Sequence, residues 1–278
     1  MKRPACFCHN IIMMCAMPPT RLPVAIVIGF ACSLLAAAAP SATRPSTAEL
    51  LRPAAASSPP FDPTTAYDLH TIEGWPVRIN QKLLKVQPDL AADTLDLLRF
   101  QLFQITRVVP APALAKLRTV TLWVEQSDPL FPCMCYHASV GWVAGHGLNP
   151  EKAHGVELSN PRAFLNWTHD QPWMVLHELA HAYHDQFLPD GFDNAMVRAA
   201  YHAAREAKLY DAILRISGAT ERAYAMTNPM EYFSECSEAF FGTNDFYPFV
   251  RAELKVHDPK GYAMMREAWG FGPPATRP

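Results

Sequence analysis

Trp173-Met174-Val175-Leu176-His177-Glu178-Leu179-Ala180-His181-Ala182-Tyr183-His184 contains one H-E-x-x-H, and its reading decides the fold. On a helix, residues four apart stand one above the other. His177 and His181 then present two imidazoles to one zinc ion, with Glu178 beside the open coordination position. The surroundings predict a helix: Asp170 as N-cap, Pro172 in the first turn, and Leu176, Leu179, Ala180 and Tyr183 as an apolar face. No glycine or proline interrupts it before Pro189. The bland alternative is a core helix whose histidines find ordinary partners. Among eleven histidines a chance match has real weight, so a third ligand has to decide.

A metzincin would place a third histidine six residues after the second, beyond a glycine; here that position is Phe187, and the first glycine is Gly191. The other source is a glutamate from a later helix. Asn228-Pro229 is a helix start, and Glu231, Glu235 and Glu238 then fall at i, i+4 and i+7 on one face. Three carboxylates on one side of a helix rich in Tyr, Phe and Ala repel one another, and a cation resolves that. The alternative is that Glu231 completes a capping box while the other two face solvent. Helical spacing alone leaves Glu231 and Glu235 equally open as the ligand.

The pattern His177-Glu178-x-x-His181, then Tyr224-x-x-Thr227-Asn228-x-x-Glu231-Tyr232-Phe233-x-Glu235-x-x-x-x-Phe240, resembles the gluzincin catalytic domains of anthrax lethal factor and its bacterial relatives. The match covers roughly the C-terminal third of the chain. The resemblance implies one Zn2+ held by His177, His181 and Glu231, Glu178 as general base, and Tyr224 over the site as an oxyanion donor. It also makes Glu235 the carboxylate that fixes the other ring N–H of His177. The implied fold is α+β and zincin-like: a small twisted mixed sheet over an active-site helix, with a mainly helical C-terminal half. The implied activity is an exported zinc metallopeptidase that hydrolyses peptide bonds through an activated water. In zincins the strand above the cleft is an edge that binds substrate backbone, and Gly155, Val156, Glu157, Leu158 and Ser159, in the predicted strand Lys152 to Asn160, are the candidates. His184 points too far along the helix axis to share the ion and is assigned to packing or to support of the ligands. A non-catalytic module that retains the zincin shell, or a zinc hydrolase of a non-peptide amide, are the rival functions.

Residues 1–42 read as a secretory signal peptide, from the basic residue, apolar run and small residues between Arg21 and Ala42. Retention as an N-terminal anchor is the alternative, and lipidation at Cys32 is disfavoured by the residues before it. Translation starting at Met13, Met14 or Met17 would give a more ordinary leader. Residues 43–63 are a Pro/Ala/Ser-rich linker, 64–272 the globular domain, and 273–278 a frayed tail. The expected location is secreted or periplasmic, with contact to a membrane only if the N-terminal segment is retained. The expected partner is a peptide or protein substrate. A net charge of −2 without a basic run interleaved with aromatics argues against nucleic acid.

Within the domain, Tyr67–Ile72 and Trp75–Asn80 flank Glu73-Gly74 as a hairpin. Leu90 to Val108 has helical periodicity, Val120 to Glu125 reads as a strand, and Asp193 to Leu214 as a structural helix. Phe131 to Leu148 holds Cys133, Cys135, His137 and His146 without a recognisable ligand spacing. In an exported protein, Cys236 is expected to pair with Cys133 or Cys135 and staple the glutamate helix to that loop, leaving one thiol over. Ser217-Gly218 is a turn, and Phe246 to Gly272 gives short helices with Phe249, Leu254, Tyr262, Met265 and Trp269 in the core.

Overall fold

The computed structural model describes residues 61–128 and 130–272. The leader or anchor, the linker up to residue 60 and the tail lie outside the described residues. The hairpin forms as expected, with β1 (Tyr67–Ile72) antiparallel to β2 (Trp75–Asn80). Its two-residue turn places Glu73 at φ 50° and Gly74 at φ 92°, the left-handed pair that matches strand twist. Asn80 caps α1 (Gln81–Val86), and α2 (Pro88–Val108) follows with Leu98, Leu102 and Ile105 buried. After α3 (Ala111–Leu117), β3 (Leu122–Val124) lies parallel to β2.

The next segment departs from expectation. Between Phe131 and Leu148 lie a strand, β4 (Met134–Tyr136), and a short helix, α4 (Val140–Gly145), capped by Ser139. β5 (Val156–Leu158) then inserts between β3, to which it is parallel, and β4, to which it is antiparallel. The sheet is therefore mixed and five-stranded, in the order β1-β2-β3-β5-β4.

Helix α5 (Pro161–Trp167), capped by Asn160, leads to α6 (Met174–Phe187), the helix of the H-E-x-x-H. That helix starts later than the sequence suggests. Asp170 does not cap it; Trp173 is the N-cap without a side-chain bond. Instead the buried Gln101 of α2 accepts a bond from Val175 N at 3.3 Å, so the cap is tertiary.

The expected helix from Asp193 to Leu214 is shorter, α7 (Ala195–Glu206) capped by Asn194. Ile213–Leu214 is instead β6, paired with β7 (Thr220–Glu221) around the Ser217-Gly218 turn. Asn228 caps α8 (Pro229–Phe241) through Glu231 N at 2.9 Å. The chain ends in α9 (Arg251–His257) and α10 (Pro259–Ala268). Leu254, Met265 and Trp269 are buried as expected, with Phe249 and Tyr262 half-buried. The three cysteines among the described residues are buried, and Cys236 is a free thiol, so no disulfide staples α8; Cys133 Sγ lies 3.3 Å from Met174 Sδ. Among the described residues no helix is long and apolar enough to cross a membrane.

A charge cluster is buried at one end of the sheet. Lys152 Nζ sits 2.7 Å from Glu125 and 3.0 Å from Glu157, and His137 Nε2 lies 2.7 Å from the same Glu157 oxygen. Burial opposes ionisation of Glu157, but His137 and Lys152 outweigh it and hold its pKa below the usual carboxylate value. Removing one member leaves its partners charged and unpaired in the interior. Lys152→Met is expected to lower the unfolding free energy by about 3–5 kcal/mol, read from urea denaturation midpoints.

His184 is a second buried polar group, wedged between Phe192 and Phe233 at ring separations of 5.2 and 4.8 Å. Neither ring nitrogen has a hydrogen-bond partner. Burial, reinforced by His181, lowers its pKa from 6.5 to about 3. Between those values the unfolded chain binds a proton that the folded chain refuses, so stability falls as pH drops below about 6.5, by up to about 1.4 kcal/mol per pH unit. His184→Leu is expected to match or exceed the wild type at pH 7 and to flatten this acid limb when melting temperature is followed from pH 7 to 4.

Candidate metal centre

Helices α6 and α8 pack so that three electron-pair donors meet at one point. His177 Nε2 is 3.1 Å from Glu231 Oε2, His181 Nε2 is 3.2 Å from the same oxygen, and the two Nε2 atoms are 3.2 Å apart. The capping bond from Asn228 fixes Glu231 in the first turn of α8, and the four-residue spacing stacks the two histidines on α6. Glu231 and His181 are buried, and His177 opens slightly to the cleft. Three lone-pair donors at such separations repel unless a proton or a cation lies among them. Zinc bonds of 2.0–2.1 Å in tetrahedral geometry separate their ligands by about 3.3 Å. The donor set and its spacing could therefore hold a metal ion of that size beside the cleft. Glu231 does not merely cap its helix, and Glu235 and Glu238 do not face solvent.

The carboxylate behind His177 is not the expected one. His177 Nδ1 lies 2.7 Å from Glu238 Oε1, whereas Glu235 stands 4.0 Å away. The carboxylate seven residues after Glu231 on α8 reaches the ring, and the one four residues after it does not. Burial and the neighbouring charges of Asp245 and Glu238 push Glu235 well above the usual carboxylate range. Asp245 is pushed to about 7 by burial and Glu238, against the opposing pull of Arg215, which bonds it at 3.1 Å. Burial alone would lower the His177 pKa, but Glu231 and Glu238 outweigh it and hold it well above its usual value.

Glu178 points towards the sheet: its Oε2 accepts a bond from the backbone N–H of Tyr136, at 2.9 Å. Tyr224 lies in a single 3-10 turn before α8, its ring 6.2 Å from that of His177, and it lines the same cleft. The structure thus brings His177, Glu178, His181, Tyr224 and Glu231 together.

It does not place Gly155, Val156, Glu157, Leu158 and Ser159 at an edge. That segment is interior, hydrogen-bonded to β3 on one side and β4 on the other, and the Glu157 side chain is committed to the Lys152 cluster. The strand at the end of the sheet, along the cleft, is β4. A cleft of about 550 Å³ runs along α6, with Phe131, Trp142, Trp167 and Met174 among its apolar walls and Arg215 and Glu221 of the β6–β7 hairpin opposite.

Tyr136, Glu238, Arg215 and Asp245 belong to this site and are not singled out by the sequence. Only Glu238 left a signal, as the i+7 member of the acidic face. With Glu238 bonded to His177 and Glu235 out of reach of it, Glu238→Gln is expected to weaken binding of added zinc by roughly 10–100-fold, while Glu235→Gln stays near wild type; competition against a chelator of known affinity separates them. No family model, no curated protein and no solved structure matches this chain.

Proposed function

We propose that the chain is a zinc-dependent peptidase of gluzincin type, in a zincin-like fold. The observation that carries this reading is the triangle of His177, His181 and Glu231 donors, 3.1–3.2 Å on each edge, opening onto a cleft beside Glu178. A zinc ion bound there supplies a Lewis acid that polarises a carbonyl and makes a nearby water acidic. Every other part belongs to the chain. Glu178 has one carboxylate oxygen held by Tyr136 N–H, which leaves the other to take a proton from the attacking water and pass it to the leaving amine. The Tyr224 phenol, over His177, serves as donor to the oxygen that gains charge.

The substrate reading follows from the walls. β4 ends the sheet along the cleft, a position that suits an extended peptide lying beside it. The apolar lining near Trp167 and Met174 suits a bulky apolar side chain on that peptide. The leader composition between Arg21 and Ala42 supports action outside the cytoplasm.

The test is cleavage of an unbiased peptide mixture by the zinc-loaded chain beside two variants, with metal content measured on each. Chelator-sensitive cleavage by the wild type is expected. Glu178→Ala should keep its zinc and lose at least about 100-fold in turnover, and His181→Ala should lose both. A Glu178→Ala variant with wild-type rates would sink the assignment.

A further inference from the structure

We propose that Tyr136 is a positioning residue, a two-point clamp that holds the edge strand β4 on α6 and fixes the carboxylate of Glu178; this rests on the peptidase reading of the site. Cys133 O accepts from Ser159 N and His137 N donates to Gly155 O, so odd-numbered residues of β4 face β5. By the alternation of a strand, Met134 and Tyr136 turn their backbone groups outward, to the open edge. There the Tyr136 N–H meets Glu178 Oε2 at 2.9 Å.

The side chain of the same residue reaches further along the helix. Its phenol donates to Asp185 Oδ2 at 2.6 Å and accepts from Gln186 Nε2 at 3.1 Å. Gln186 also donates to His154 O at 3.0 Å, which ties in the loop before β5. Glu178 and Asp185 are seven residues apart on α6, about 10.5 Å along its axis. An amide and a phenol on one residue span that gap, which a phenylalanine or a histidine at this position would not. Tyr136 is buried, with its ring edge-on to Phe192.

Two consequences follow for the site. One oxygen of Glu178 is fixed, so the other is aimed at the cleft rather than free to swing. The Tyr136 amide is thereby committed to Glu178 and is not offered to an added peptide strand. The clamp therefore acts on how Glu178 is aimed, not on how tightly the metal is held.

The experiment uses the zinc-loaded full chain with Tyr136→Phe, Asp185→Asn and the double variant, assayed on a peptide the wild type cleaves. Tyr136→Phe is expected to lower kcat roughly 10–100-fold, with KM within about two-fold, zinc content unchanged and the chain still fully folded at the assay temperature. The double variant should be no worse than the worse single, because both break one bond. Independently of turnover, the Tyr136 amide proton in 15N-tyrosine-labelled protein should resonate downfield and move upfield in Glu178→Ala. Unchanged kcat in Tyr136→Phe, additive losses, a kcat loss tracked by zinc content or by unfolding at the assay temperature, or an amide resonance indifferent to Glu178→Ala would each overturn the proposal. A wild type that cleaves nothing overturns the peptidase reading, and the amide response then decides on its own whether Tyr136 holds Glu178.

Discussion

One imidazole locks two helices. His177 reaches Glu231 with Nε2 and Glu238 with Nδ1, and those glutamates stand seven residues apart on α8, about 10.5 Å along its axis. A slide or roll of either helix breaks both contacts at once, so the pair fixes register and rotation together. The rest of the C-terminal half serves this lock. Asn228 sets the start of α8, and α10 packs Trp269 against Tyr183 of α6 and Phe233 of α8. Gly242 lets the end of α8 pass under the Trp173 ring, where a Cβ would stand 1.9 Å from the indole. The segment on which α6 begins is thus braced by the helix that supplies its third donor.

The molecule buries two clusters of acid and resolves them differently. At the sheet end, Glu125 and Glu157 share the ammonium of Lys152, an internal cation on a flexible stem. At the helix crossing, Glu231, Glu235, Glu238 and Asp245 are all buried, and the balancing groups are two histidines and the half-buried Arg215. Protons make up the difference, which is why Glu235 and Asp245 are pushed up while Glu231 is held down by its imidazoles. A group of carboxylates that keeps protons near neutral pH is one whose charge is not yet balanced. A divalent cation among the donors of His177, His181 and Glu231 would add positive charge to this cluster without moving a helix.

The helices of the site were legible because their signals are local. The H-E-x-x-H spacing, the Asn228-Pro229 start and the i, i+4, i+7 acidic face each lie within a few turns, and α6 and α8 follow from them. What the sequence hid was set across the chain. The start of α6 depends on Gln101, seventy-four residues earlier, rather than on Asp170. The choice of Glu238 over Glu235 depends on where α8 crosses α6, which spacing on one helix does not determine. β4 is three residues long, too short for a period, and Cys135 within it and Cys133 just before it read as disulfide candidates instead. Gly155–Ser159, expected at the edge by resemblance to zincins, lies inside the sheet because β4 pairs on its outer side. The strand that comes first in the chain lies outside the later one.

That inversion has a physical consequence for the cleft. An edge strand has a partner on one side only, and three residues of ladder hold it weakly. Its two sides are therefore pinned by other means, through neighbouring residues. His137 turns inward to Glu157 and so to the Lys152 cluster, while Tyr136 turns outward and down to Glu178 and Asp185 on α6. The buried charges of the sheet and the carboxylate beside the metal ligands thus meet across the single peptide joining residues 136 and 137. Two adjacent residues at the end of one short strand hold Glu157 on one side of the ladder and Glu178 on the other.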